Sequence, residues 1–357
     1  MKKWIRRAMS LAAAGLMALP ALGEDVVEQV PVLELPELKK GTIAELSTEV
    51  DPLIGPHDGN YLFQRGEKSP YAYADPSITV NIGTGRIYDT NYMYARVKIA
   101  TPGQIRMMSC EDSLAKTTKV LGSKLAARVK AVVAINGVLE ADVTSGGVAF
   151  VDGPVMKQGV WMRPSAKASA QKLANWQEEE GRDTLVIDDQ GDLVVLEAKP
   201  WGEIQEEILE MGDRAVNVLC FGPALVLDGI PQYGYQSRQM SSNRPAQRMA
   251  ICQTGPLEYL LITSEGPDDP DGNGLKLDQF VELIASFPDV ITAYNLDGGS
   301  SSTLVFRKGS EKWAKINCPK NGKKRQLRDL IYFADAWMPK GKSSLLEDAA
   351  IAGEAAK

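Results

Sequence analysis

Alternation of apolar and polar positions dominates the middle of the chain. Ser77-Ile78-Thr79-Val80-Asn81-Ile82 and Tyr92-Met93-Tyr94-Ala95-Arg96-Val97-Lys98-Ile99 repeat with the period of two that a half-buried strand requires. Residues 131–135 are instead continuously apolar and end in Asn136-Gly137, the pattern of a strand covered on both faces. Residues 148–156 read as a hairpin around Asp152-Gly153. Residues 184–187 and 193–196 read as another, around Asp188 to Gly191. Further strands are expected at 215–219, 249–253, 259–263, 290–294 and 330–333. Helical spacing predicts helices over 111–129 and 277–287, the second amphipathic through Phe280, Val281, Ile284 and Phe287. Residues 162–180, rich in Ala, Gln and Glu, read as an inserted helix or a loop. Strands outnumber helices and come mostly as hairpins. The expected fold class is α+β, with mixed, largely antiparallel sheets, a few flanking helices and a single catalytic domain over residues 61–340.

The two ends do not fit that domain. Lys2, Lys3, Arg6 and Arg7 precede an apolar run from Ala8 to Leu22 that closes on Ala21-Leu22-Gly23. This is the layout of a secretory signal peptide over residues 1–23, and about 15 apolar residues is shorter than the roughly 20 of a membrane span. Residues 24–60 read as an acidic, proline-bearing leader, and 341–357 as a frayed tail. The expected location is therefore secreted or cell-envelope associated, with membrane contact only through the signal peptide. Loss of its four positive charges takes the formal net charge from −6 to −10. Such an acidic protein lacks the positive footprint of a nucleic-acid binder. A local exception is the basic run Lys320 to Arg328, read either as a solvated loop or as a cationic rim beside an anionic substrate.

The single histidine, His57, lies in the turn-rich Ile54-Gly55-Pro56-His57-Asp58-Gly59. One histidine argues against histidine-based zinc sites and serine–histidine–aspartate triads, so acid–base work falls to carboxylates. The four cysteines, Cys110, Cys220, Cys252 and Cys318, show no CxxC spacing. Export permits a disulfide, but Cys220 and Cys252 sit in strand-like runs where a small buried residue would serve.

The chemistry concentrates in Ala293-Tyr294-Asn295-Leu296-Asp297-Gly298-Gly299-Ser300-Ser301-Ser302-Thr303-Leu304-Val305-Phe306. A strand delivers Asp297 at its end. Glycines then let the backbone approach a ligand, and free N–H groups and hydroxyls can receive an anion. An ordinary strand–turn–strand connection, with Asp297 bonding its own turn, is the other reading.

The chain resembles the phosphodiester glycosidase family. The carrier is Asn295-Leu296-Asp297-Gly298-Gly299-Ser300-Ser301-Ser302-Thr303, similar to the family's N-L-D-G-G-G-S-S-T-like strand end. Weaker matches follow the family's order: Ala134-Ile135-Asn136-Gly137, Phe221-Gly222-Pro223-Ala224-Leu225 with Asp228-Gly229, Arg248-Met249-Ala250-Ile251, Gly274-Leu275-Lys276-Leu277 and Asp329-Leu330-Ile331-Tyr332-Phe333. The chain departs from the pattern at Val138, Ser300, Cys252 and Glu265. The resemblance implies hydrolysis of a sugar's anomeric C–O bond to a phosphodiester, giving free sugar and a phosphomonoester, on a cell-envelope glycan or exopolysaccharide. Asp297 is then the principal carboxylate, Glu265 the second and Arg248 the cation facing phosphate. Asn136, Gly137, Asn295, Gly298, Gly299, Ser301 and Ser302 become substrate-binding candidates. The alternative is a diverged, non-catalytic glycan-binding member.

Two rival signals stay open. Asp269-Pro270-Asp271-Gly272-Asn273-Gly274 fits the first half of a calcium loop, with Asp269, Asp271 and Asn273 as ligands, but position twelve is Phe280 rather than an acid. The sequence makes no cofactor certain, and calcium is the one candidate. Ser113-Leu114-Ala115-Lys116 and Ser241-Ser242-Asn243 copy two motifs of penicillin-binding enzymes, but the Lys-Thr-Gly third motif is missing downstream.

Overall fold

A computed structural model describes residues 71–74, 77–110, 118–137, 142–143, 149–150, 153–162, 177–234, 242–270, 272–309, 312–317 and 325–336. The signal-peptide, leader and tail readings, His57 and Cys318 lie outside these residues, as do Ser113 and Lys116.

Three antiparallel sheets carry the fold. The largest has eight strands, ordered Tyr71–Ala74, Ile78–Ile87, Thr90–Ile99, Glu258–Ser264, Met249–Gly255, Thr292–Leu296, Ala224–Leu227 and Ile230–Pro231. A second sheet runs Val160–Trp161, Met156–Lys157, Ala215–Cys220, Thr184–Asp188 and Leu193–Leu196. A third runs Lys312–Lys315, Leu304–Gly309, Val133–Asn136, Asp329–Phe333 and Ile105–Ser109. Every strand pairing among the described residues is antiparallel, so the expected mixture with parallel strands is not seen there, and the balance leans further towards β than α+β implies.

The alternation in the sequence explains how the sheets are arranged. One face of each sheet turns to a shared core: Ile78, Val97, Ile251 and Leu261 from the first, Leu185 and Leu219 from the second, Ile135, Phe306 and Ile331 from the third. Their chain neighbours point the other way, and a helix covers each outer face. Helix α1 (Gly122–Arg128) brings Leu125 and Ala126 against Ala134, Val305 and Leu330 of the third sheet. Helix α2 (Trp201–Met211) brings Trp201, Ile204 and Ile208 against Val186 and Val218 of the second. Helix α3 (Leu277–Ala285) brings Phe280, Val281 and Ile284 against Ala250, Leu260 and Ile262 of the first. Strands enclosed on both sides in this way are why runs such as 131–135 are apolar throughout.

Several boundaries differ from those expected. Of 111–129, residues 111–117 lie outside the described ones; Val120–Leu121 is a short strand paired with Gln326–Leu327, and a helix runs Gly122–Arg128. The hairpin expected over 148–156 is not seen among the described residues, which leave out 148, 151 and 152: Ala149–Phe150 pairs with Asp142–Val143, while Met156–Lys157 turns back onto Val160–Trp161. The reason is turn geometry, since Gln158 and Gly159 both take positive φ (51° and 75°), the two-residue turn that matches strand twist. The strand expected at 290–294 runs Thr292–Leu296, and Ile291 stays 44% exposed. That two-residue shift places Asp297 immediately beyond the last paired residue.

Candidate active site

The site is built by register. Met249 pairs with Leu296 on one side and with Thr263 on the other, and Thr263 pairs with Met93. One step further along, Ser264 pairs with Tyr92, and the Ser264 N–H donates to the Arg248 carbonyl at 3.1 Å. The same step sets Asp297 opposite Arg248. Tyr92, Ser264, Arg248 and Asp297 therefore form a row across four strand ends. By alternation they share the face that carries Tyr92 and Ala250, and cross-strand partners in such a row lie about 5 Å apart at Cβ.

Asp297 is half-buried. Its carbonyl accepts a hydrogen bond from Asn136 Nδ2 at 2.8 Å. Asn136 Oδ1 accepts from the Thr303 N–H at 3.0 Å. The amide of Asn136 thus grips the loop at both ends, and at 2% exposure it works from beneath. Between those two points Gly298 packs on the Gln247 backbone so closely that a Cβ would lie 2.5 Å from the Gln247 carbonyl oxygen. Gly299 takes φ +56°, and its N–H donates to the same carbonyl at 2.7 Å. These two positions need glycine for different reasons, close approach and left-handed backbone.

A single 3-10 turn, Gly299–Ser301, follows. Ser301 and Ser302 are buried, at 2% and 0% exposure, and Ser302 Oγ has no hydrogen-bond partner among the described residues. Ser300 faces outward, and its Oγ accepts from Arg325 Nη1 at 3.2 Å. Asn295, 1% exposed, donates from Nδ2 to the Gly222 carbonyl at 2.8 Å, while its Oδ1 lacks a partner. The solvent-facing part of the motif is therefore Asp297 to Ser300, with Asn136, Asn295, Ser301 and Ser302 behind it.

Arg248 is 4% exposed. Its Nε donates to the Leu275 carbonyl at 3.0 Å and Nη2 to the Arg244 carbonyl at 2.8 Å. These two backbone carbonyls fix the orientation of the guanidinium. Burial lowers its pKa to about 10, which leaves it cationic at neutral pH. Glu265 is half-buried beyond the strand Glu258–Ser264, with Oε2 accepting from Asn91 Nδ2 at 3.0 Å. Two strand spacings, roughly 10 Å, separate its strand from that of Asp297.

Gly137 emerges from the third sheet against a buried ion pair. A Cβ there would sit 2.7 Å from the Asp329 carboxyl carbon. Asp329 is paired with Lys157 Nζ at 2.9 Å, and Lys157 also donates to Ser109 Oγ at 3.2 Å. Sequence reasoning placed Asp329 only in a closing strand and passed over Lys157. The motif ending at Gly137 and the one opening at Asp329 were the available signal, because adjacent strands of one sheet bring them together.

Of the calcium candidates, Asp269 and Asn273 are described. Asp269 turns Oδ2 back onto the Gly266 N–H at 2.8 Å, and the Asn273 N–H donates to the Asp89 carbonyl at 3.2 Å. Asp271 lies outside the described residues. Among the described residues no three His, Cys, Asp or Glu side chains gather as a metal site. Ser242, from the penicillin-binding-like pair, is buried, and its carbonyl caps the Leu277 N–H at 2.8 Å. Cys110, Cys220 and Cys252 are free thiols.

Motifs far apart in sequence thus meet at one place: Asn136 on Asp297, Gly222 on Asn295, Arg248 beside Asp297, Asp329 on Gly137. Comparison with known proteins points the same way. The catalytic domain of zebrafish N-acetylglucosamine-1-phosphodiester alpha-N-acetylglucosaminidase, solved in a form auto-inhibited by its pro-peptide, superposes with a TM-score of 0.53 at 17% identity, covering 77% of this chain and 88% of that one. At that identity the likeness shows the fold alone. A hypothetical protein from Synechocystis gives a TM-score of 0.45 at 14% identity over 72% of this chain and 62% of its own, too low to add to the argument. Among curated proteins, none matches the sequence. The family model for phosphodiester glycosidases matches residues 129–334, more than half the chain and every motif set out above, and the protein belongs to that family.

Proposed function

We propose that this chain is an exported hydrolase that cleaves the anomeric C–O bond of a sugar-1-phosphodiester in a cell-envelope glycan or exopolysaccharide. Water attacks the anomeric carbon and gives up a proton to Asp297. The C–O bond breaks with its electrons on the departing oxygen, leaving free sugar and a phosphomonoester. The leaving group is already a stable anion, so it needs charge stabilisation more than protonation. Arg248 supplies a cation whose orientation two backbone carbonyls fix.

The observation that carries this reading is the row that sets Asp297 opposite Arg248 on one face, at the foot of a glycine turn held from below by Asn136. A panel of sugar-1-phosphodiesters assayed for released sugar tests it. Wild type should turn over at least one diester, and Arg248→Ala should lose about 10²–10³ in rate, the scale of an oxyanion donor. Glycan binding without release from any diester would instead favour the non-catalytic member.

A further inference from the structure

Lys157 is a charged side chain in a place the strand pattern reserves for an apolar one. Its neighbour Met156 packs towards helix α2, so Lys157 turns to the opposite face, where Leu185 and Leu219 of the same sheet meet the shared core. Only 10% of its side chain is exposed. Its ammonium crosses to the third sheet and meets a cross-strand pair there, Asp329 at 2.9 Å and Ser109 at 3.2 Å. The next residue reinforces the link, with Gln158 Oε1 accepting from the Met107 N–H at 3.4 Å. Register carries the contact on to the site. Leu330 pairs with Asn136, so the following step sets Gly137 opposite Asp329, close enough that a Cβ would strike the carboxylate. Asn136, one residue away, holds both the Asp297 carbonyl and the Thr303 N–H.

Resting on the hydrolase reading, we propose that Lys157 is a positioning residue for Asp297: by tying the second sheet to Asp329, it fixes Gly137 and Asn136 and, through them, the loop that carries the carboxylate. It touches no reacting atom. An ammonium suits this role because it donates to two oxygens on neighbouring strands at once, which an apolar side chain of the same length cannot do. Small displacements are enough to matter, since a shift of about 1 Å at a reacting group costs on the order of 10²-fold in rate.

The test uses the full chain and separates positioning from stability. Hydrogen exchange at the Thr303 N–H reads the Asn136 contact directly, and kcat and KM on a sugar-1-phosphodiester read its consequence. In Lys157→Met the Thr303 amide should exchange about tenfold faster or more while residues 133–135 stay protected, and kcat should fall by about 10–10²-fold with KM held within about twofold. Lys157→Arg, which keeps donors for both oxygens, should recover most of the rate. Lys157→Met/Asp329→Asn removes both charges, so that neither is left buried without the other, and it serves where the single variant does not fold. It should show the same losses. Wild-type exchange at Thr303, or wild-type kcat, in either folded Met variant would overturn the assignment and leave the hydrolase reading standing. Protection lost throughout the third sheet, with kcat per folded molecule unchanged, would also overturn it, as a purely stabilising role. Absence of turnover by wild type would overturn the hydrolase reading and this role with it.

Discussion

Asn136 and Gly298 show how much of the site is made by residues that face away from it. Removing the Asn136 amide leaves the buried Thr303 N–H without its acceptor and releases the Asp297 carbonyl. Asn136→Ala should cost about 1–3 kcal/mol in a urea titration, the scale of an unsatisfied buried donor, and should lower kcat more than it raises KM. In Gly298→Ala the new methyl meets a backbone carbonyl, which cannot rotate away, so the loop must lift. Activity should fall by more than the loss in stability accounts for, measured as kcat beside the urea midpoint. Burial raises the thiol pKa of both Cys110 and Cys252, the latter completely enclosed. Thiol labelling with peptide mapping should find Cys220 and Cys252 unreactive until the chain unfolds, and fast labelling of either in the native state would contradict the packing. Asp297 was legible because a carboxylate, two glycines and three serines between apolar runs are rare as a simple turn. The bond from Asn136 to Asp297 was not, because it spans 161 residues and depends on which sheets meet. Lys157 was invisible for the same reason, since only the fold pairs it with Asp329.

At the scale of elements, period-two alternation was a reliable guide wherever one face of a strand meets the core and the other a helix. It placed Thr90–Ile99 close to its true extent and found the start of Ile78–Ile87, though the reading stopped at Ile82. It failed where turn chemistry decides. Asp152-Gly153 has favoured turn composition, yet the chain turns at Gln158-Gly159, and Gly153 instead packs against Trp201 and Cys220. Helix α2 went unrecognised although Trp201, Ile204 and Ile208 recur at helical spacing, because its exposed face is a run of glutamates that reads as a loop. Helix α3 closes the outer face of the central sheet behind the site. Phe280→Ala there should cost about 3–5 kcal/mol by leaving a cavity among Leu260, Ile262 and Ile284. A urea midpoint shift much smaller than that would mean the helix is not packed as described.

Across the whole molecule, three sheets share one core, and the ends of the first and third converge where the motif loop crosses between them. The loop joins Thr292–Leu296 of one sheet to Leu304–Gly309 of the other, so its two ends are fixed by the sheets and its glycines let it pass between them. This is why weak motifs in the right order carry information that each lacks alone: they are the strand ends of a single rim. Desolvation of Arg248 adds an unfavourable contribution to stability at every pH below about 10, relieved only as pH rises from there towards the ordinary guanidinium value. Its charge is constant through the neutral range, so Arg248 should contribute no inflection to a pH–rate profile between about pH 6 and 9. The account turns on Asp297, and sugar release from a sugar-1-phosphodiester by wild type and by Asp297→Asn, with folding checked by urea midpoint, tests it most directly. Release by wild type that is lost in a stably folded Asp297→Asn is the predicted result. Undiminished release by the folded variant would contradict it.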